Sequence, residues 1–417
     1  MGDGDEFEIS SSAPAQGYSV CANCFGDDDI KAFIQTEADS NACDFCGRKS
    51  RTRPIAAPLD EVVEFMFPAI EREYESAANA LGWDSAEGGY QGSHWNSREL
   101  LEGEIGLEVP NDDGQLLDIL AECLGDEVWC QRNPYSLRRD EQLIGSWEEF
   151  CRSVKHEQRY FFLRKKKKRR FELSDYLHPS ALLKFISETV NEHELVRVLP
   201  KGSLIYRARQ QKPREALASP YDFGPPPVEW ATRPNRMSPA GIVMFYGSDD
   251  RETAIAEIDD DPQLGIAVGT FQTTRDATIL DLTELPRRLG FFEQQSDSSS
   301  VDRYALDFLH RFVKGLAAKV ERGSREHIDY VPTQVVTEWF RTVFRHRRSS
   351  LDGIRYMSAQ RAGGQSLVLF ADQYDVVLSP RQIKNLAKAW SIEGWGLRSK
   401  HEKAWLKLVR KRVERAA

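Results

Sequence analysis

Four cysteines near the amino terminus constrain the fold of this chain more tightly than any other feature. Cys21-Ala22-Asn23-Cys24 and Cys43-Asp44-Phe45-Cys46 are two CxxC pairs separated by 18 residues. Each pair can present two thiolates to one side of a tight turn. Two such turns complete a tetrahedral shell of four sulfurs, and Gly47 suits the backbone demands after the last ligand. An all-thiolate tetrahedron favours zinc. A closed shell leaves no open coordination position, so this zinc is expected to be structural. A redox dithiol would need only one pair. Asp27-Asp28-Asp29 inside the loop argues against DNA binding by the module.

The remaining cysteines, Cys123, Cys130 and Cys151, are scattered and do not extend this into a disulfide framework. Unpaired thiols suit a reducing compartment, and a cytoplasmic location is the expectation. The acidic start Met1-Gly2-Asp3-Gly4-Asp5-Glu6 lacks the apolar stretch of a secretory signal. No apolar run reaches membrane-spanning length. With 417 residues, two or three domains are expected. A net charge of -9 argues against a general nucleic-acid binder.

The pattern along the chain divides it further. Residues 1–17 are acidic and Ser-rich, and are expected to be disordered; 18–52 hold the cysteine module. From Leu59, apolar Val62, Val63, Phe65, Met66, Ile70 and Tyr74 recur at steps of three and four, which predicts a helix. Further helices are expected near 97–106, 116–124 and 140–150, making an all-helical stretch to about 160, and one more over 175–198. The run Arg164–Arg170 reads as a basic linker, with nucleic-acid contact as the sharper alternative. From about 199 to 380 the style changes to short β-branched runs bounded by Gly, Pro, Asp and Ser, with helices between them. Residues 381–417 are expected to form a basic helical tail.

The α+β segment carries an ordered set of chemical groups. Tyr206-Arg207-Ala208-Arg209 comes first, then Asn235-Arg236-Met237-Ser238-Pro239-Ala240-Gly241. Met244-Phe245-Tyr246-Gly247-Ser248 and Thr253-Ala254-Ile255-Ala256-Glu257 follow. Beyond them lie Tyr330-Val331-Pro332-Thr333-Gln334, Asp352-Gly353-Ile354-Arg355-Tyr356-Met357-Ser358 and Gly363-Gly364-Gln365-Ser366. Arginines can clamp a pyrophosphate, an aromatic ring can stack on a flat base, and a carboxylate can stabilise a cationic sugar. Alone, a Glu in such a helical segment is usually surface and a Tyr at a strand end is usually packing. The joint order is what points to a site.

This segment resembles the RES domain family, a branch of the ADP-ribosyltransferase superfold, over roughly 200–372. The cysteine module and the helical stretch over 59–198 resemble the amino-terminal extension of longer RES proteins, with a HEPN-like character. The resemblance implies an α+β fold for 199–380 and a toxin-like enzyme that consumes NAD at its nicotinamide–ribose bond. It assigns the family Arg to Arg207, the Glu to Glu257 and the Ser to Ser358, with Ser366 as a rival. Arg236 and Tyr246 match its other site positions. Arg207 and Arg236 would hold the pyrophosphate, Tyr246 the nicotinamide, and Glu257 the ribose. Two alternatives stay open: a protein ADP-ribosyltransferase with a protein acceptor, or a nucleic-acid-sensing module with an inert RES fold. An antitoxin partner is a further expectation of the resemblance. The HEPN nuclease signature, Arg then four to six residues then His, is one residue short at Arg152…His156. Arg322…His327 and Arg341…His346 fit it outside the helical region. A scaffold without nuclease activity is therefore expected.

Overall fold

The computed structural model describes residues 11–110, 114–161, 175–215, 217, 219–258, 261, 263–293, 303–318, 325–384 and 401–415. The basic run Arg164–Arg170 lies outside them. The chain forms two compact units, one of Met1–Glu141 with Arg288–Arg303, the other of Gln142–Arg287 with Tyr304–Ala417. Among the described residues, no helix is long and apolar enough to cross a membrane.

The first unit starts with β1 (Ser19–Cys21), α1 (Asp28–Glu37), β2 (Ala56–Pro58) and α2 (Leu59–Glu73). Asp27-Asp28-Asp29 has a local cause. The Asp27 side chain caps α1 by accepting from the Asp29 and Ile30 amides, and the next two carboxylates sit at the positive end of the helix. Helix α2 buries Leu59, Val62, Val63, Met66, Ala69 and Ile70, the stripe that the sequence periodicity predicts. Residues 11–17 depart from the expected disorder. Ala13–Ala15 form a 3-10 turn, and Ala15 is fully buried because only a small side chain has to be accommodated there.

After α2 come β3 (Tyr74–Ser76), α3 (Ala77–Ala80), β4 (Trp83–Asp84), β5 (Gly89–Tyr90), β6 (Trp95–Asn96), α4 (Ser97–Glu99), α5 (Gln115–Cys123) and β7 (Val128–Gln131). This corrects the all-helical expectation. β3, β7 and β6 form a three-stranded antiparallel sheet, and β4 pairs with β5. Its strands are two to four residues long, too short to show alternation in a sequence window. Aromatic side chains stabilise them, with Tyr74 edge-on to Trp95 at 6.1 Å. One core joins Ile30, Val62, Met66, Ile70, Leu116 and Trp129 to Cys21, Cys24 and Cys43. It also takes in Phe292, from the excursion 288–303.

The second unit contains α6 (Arg139–His156), α7 (Pro179–Glu192), β8 (Val196–Leu199), β9 (Leu204–Gln211), α8 (Pro220–Phe223), β10 (Phe245–Ser248) and α9 (Arg251–Ala256). β11 (Gly265–Thr273), β12 (Ala277–Asp281), α10 (Arg303–Ala317), α11 (Glu326–Asp329), α12 (Val331–Thr342), β13 (Gly353–Met357), β14 (Gln365–Leu369) and β15 (Leu406–Arg415) follow. Its eight-stranded sheet has the order β15-β11-β9-β10-β14-β13-β12-β8. Among the described residues only the neighbours β12 and β13 run parallel; the other neighbouring strands are antiparallel. On one face Ile205, Phe223, Phe245, Phe271, Leu367 and Leu369 pack together. On the other, Ala208, Ile266 and Val268 meet Ala254 of α9.

Two expectations fail here for identifiable reasons. The helix predicted over 175–198 stops at Glu192. Glu194 then adopts φ 50°, a left-handed turn that no helix continues through, and β8 begins. The tail is not wholly helical, since its last described part is β15, paired along β11. Leu406 and Leu408 alternate as a strand requires and join the core, whereas Val409 and Val413 are four apart as in a helix. Register shifts opposite Thr270/Phe271 and Ile266/Ala267 break the alternation, which is why the sequence pattern misleads.

Candidate functional site

Glu257 follows the last residue of α9. Asp250 caps the start of that helix, accepting from the Thr253 amide at 2.8 Å and its hydroxyl at 2.6 Å. The Glu257 amide in turn donates to the Thr253 carbonyl at 3.1 Å. A carboxylate at the carboxyl end of a helix meets the negative end of the dipole, so local stability does not select it. It is held instead by two hydroxyls. Ser358 donates to Glu257 Oε1 at 2.6 Å, and Ser366 donates to the same oxygen at 2.8 Å. The sequence left these serines as rivals; the structure brings both to Glu257.

Ser358 lies at the carboxyl end of β13, where the chain turns. Its own Oγ accepts from the Gln360 and Arg361 amides at 3.1 and 3.2 Å. Arg361 reaches Asp250 Oδ2 at 3.1 Å and Thr253 Oγ1 at 2.9 Å, so the loop is fastened to the start of α9. Gly364 closes it. A Cβ there would lie 2.5 Å from Thr253 Oγ1, so no larger residue fits without movement. Ser366 is fully within the sheet, opposite Ser248 on β10 and Tyr356 on β13.

Tyr246 forms a second group. Its hydroxyl shares a 2.9 Å hydrogen bond with Ser238, in the loop before β10. Gln334 of α12 fixes that loop by donating to the carbonyls of Asn235 at 2.8 Å and Ser238 at 3.3 Å. Burial pushes the Tyr246 hydroxyl up to about 12, partly offset by Ser238 and by the charges of Arg207 and Arg236. Tyr356 is buried on β13 and is pushed up by burial first and by the Glu257 charge second. It therefore stands within electrostatic reach of both groups.

The arginines separate. Arg236 Nη1 donates to the carbonyls of Leu316 and Ala318 at 2.8 and 2.6 Å, capping α10, and its guanidinium lies 5.7 Å from the Tyr330 ring centre. Arg207 is different. It shares a strand face with Ile205, whose core is opposite to the one that α9 covers. It is 9% exposed, lies 5.0 Å from the Phe245 ring centre and donates to the Tyr246 carbonyl at 3.0 Å. Burial and the neighbouring Arg209 cation pull its pKa well below the usual guanidinium range. This placement sets the two arginines apart: Arg207 donates to the Tyr246 backbone from the face of Ile205, and Arg236 caps α10. Arg209 faces the same way as Arg207 and donates to the Gly224 carbonyl at 2.8 Å.

Ser238, Tyr356 and Arg361 were given no role from sequence. Ser238 and Tyr356 stand inside the quoted motifs, but their partners are remote in the chain and no spacing rule links them. The HEPN-type residues that are described make local contacts. Arg152 pairs with Glu149 and Glu157, and His346 Nδ1 contacts Asn191 Oδ1 at 2.9 Å.

In the first unit, the Sγ atoms of Cys21, Cys24, Cys43 and Cys46 all lie within 4.8 Å of one another. Three of the separations are 3.9, 3.4 and 3.6 Å. A tetrahedral zinc with bonds of about 2.3 Å would space its sulfurs at roughly 3.8 Å, so the donor set fits. The Cys21 amide donates to Cys43 Sγ at 3.3 Å, an outer contact typical of a metal-bound thiolate. The cluster could hold zinc without rearrangement.

Comparison with known families finds two matches. Residues 36–168 match the family described as HEPN/RES N-terminal domain 1, and residues 204–392 match the RES domain. No curated protein and no solved structure matches the chain significantly.

Proposed function

From a chain that carries a RES domain behind a HEPN/RES N-terminal domain, we propose an enzyme that breaks the nicotinamide–ribose bond of NAD. The observation that carries this reading is the Glu257 carboxylate receiving two serine hydroxyls on one oxygen. As the C1′–N bond breaks, its electron pair leaves with nicotinamide, which departs neutral. The ribose develops oxocarbenium character, the same demand met by carboxylates in glycoside cleavage. Glu257 offsets that charge and hydrogen-bonds the ribose. Ser358 and Ser366 fix the carboxylate before the substrate arrives, so little reorganisation is needed at the transition state. Tyr246 offers its ring to the nicotinamide, and Arg236 meets the pyrophosphate with the donors not used on α10. Arg207 acts indirectly, by supporting Tyr246. Water or inorganic phosphate then adds at C1′ and loses a proton, giving ADP-ribose or its 1″-phosphate. A protein side chain as acceptor would make the enzyme a transferase.

The four cysteines would hold one structural zinc that takes no part in this step. The test is incubation of the full chain with NAD, with and without phosphate, resolved by mass spectrometry. Nicotinamide release identifies the bond, and the partner product identifies the acceptor. Absence of nicotinamide under all conditions rejects the reading.

A further inference from the structure

The second unit contains a cavity of about 630 Å³ that none of the expected site residues lines. Its walls are Leu282, Thr283, Leu285 and Met357 at the strand ends, with His310, Val313, Lys314, Ala317 and Ala318 along α10. It lies at the carboxyl ends of β12 and β13. Two of its residues adjoin the candidate site. Met357 immediately precedes Ser358, and the Ala318 carbonyl accepts the hydrogen bond from Arg236.

We propose that this cavity seats the adenosine half of the dinucleotide. The inference rests on the NAD reading above and specifies where the remote end of that substrate binds. Its support is adjacency. Arg236 touches the cavity wall through the Ala318 carbonyl at 2.6 Å. Two residues further on, Ser238 shares a 2.9 Å hydrogen bond with the Tyr246 hydroxyl. Arg236 thus joins the cavity to Tyr246, as the pyrophosphate joins adenosine to the nicotinamide half of NAD. The lining chemistry matches a purine nucleoside. Leu282, Leu285, Val313 and Ala317 offer apolar surface to a flat base, the pattern of nucleotide pockets generally. His310 Nε2 lies 2.7 Å from the Pro286 carbonyl and must donate to it, so in the neutral ring Nδ1 is an acceptor suited to an exocyclic amine. Lys314 stands exposed on the rim, where its ammonium can meet the adenosine-side phosphate.

Nicotinamide mononucleotide has the scissile bond but no adenosine, so it separates this proposal from the reading beneath it. Ala317→Trp fills the cavity. It should lower kcat/KM for NAD at least ~10-fold more than for the mononucleotide, because only NAD uses the lost subsite. Calorimetry with ADP-ribose and the full chain supplies a second readout. Affinity should fall about 10-fold in Lys314→Glu, more at low salt, since this exposed charge reversal leaves the fold intact. Equal losses for NAD and the mononucleotide, or ADP-ribose binding unchanged in both variants, would overturn the subsite. If neither compound is cleaved by the wild type, the reaction fails, while ADP-ribose binding still decides the cavity.

Discussion

The cysteine cluster and the Glu257 cluster solve opposite problems with similarly small means. In the first unit, three of the four thiols are buried within one core shared by Val62, Met66 and Trp129. In the second unit, Glu257 is only partly covered and held by two hydroxyls, groups that can yield to a substrate hydroxyl without leaving a bare charge. A closed thiolate shell suits permanence, and an aligned but replaceable hydrogen-bond set suits chemistry. The comparison predicts that damage to the first cluster appears as lost folding and damage to the second as lost turnover.

The largest effect expected is metal removal. Structural zinc contributes on the order of 10–16 kcal/mol in isolated finger peptides. The chain should carry one zinc, and Cys43→Ser or a strong chelator should unfold the first unit. Elemental analysis with a melting curve tests both. A metal content near zero would break the structural side of the comparison, and zinc-dependent bond cleavage would break its separation from the chemistry.

Next is Phe292→Ala. The excursion 288–303 packs into the first unit through Phe292, which is 2% exposed. Arg303 lies over Phe291 at 4.9 Å and pairs with both oxygens of Glu73 at 2.9 Å. Removing a buried ring of this kind typically costs about 3–5 kcal/mol. The first unit should therefore melt earlier. An unchanged melt would mean that this segment rests on the core without belonging to it.

Glu257→Gln tests the other side. It keeps the shape and removes the charge, so NAD turnover should drop by roughly 100- to 1,000-fold with the melting temperature retained. Ser358→Ala and Ser366→Ala should each cost less, and the double variant less than their product, because both hydroxyls serve one oxygen. Turnover at the wild-type rate in Glu257→Gln would remove the catalytic assignment.

What the sequence could tell follows the same line. Ligands within a short local turn, such as Cys21 and Cys24, are legible because their spacing is their geometry. Arg236, Tyr246 and Glu257 could be picked out only as three points along one segment. For Arg207, strand parity alone does not say which face meets α9. Only the partners, Ile205 with Phe245 against Ala208 with Ala254, settle that. The equal claims of Ser358 and Ser366 were unreadable for a related reason, since about 100 residues separate them from Glu257 and the sheet register alone unites them. Strand β15 was hidden because its bulges spoil the alternation that identifies strands elsewhere.

Tyr246→Phe should have the smallest effect, and it sharpens the comparison most finely. The ring survives, so stacking on nicotinamide survives, and NAD turnover should fall less than ~10-fold. The hydrogen bond to Ser238 is lost, leaving a buried hydroxyl without that partner at a typical cost of about 1 kcal/mol. Alkaline stability gives an independent reading. Burial raises the Tyr246 hydroxyl from 10.0 to about 12, so the folded state keeps its proton after the unfolded chain has begun to release one. Stability from this group is therefore complete below pH 10 and declines as pH rises towards 12. The Phe variant should lack that part of the alkaline loss, as read from melting temperatures across the interval. If instead it loses turnover as severely as Glu257→Gln, the hydroxyl takes part in the bond-breaking step, and Tyr246 does more than hold a ring.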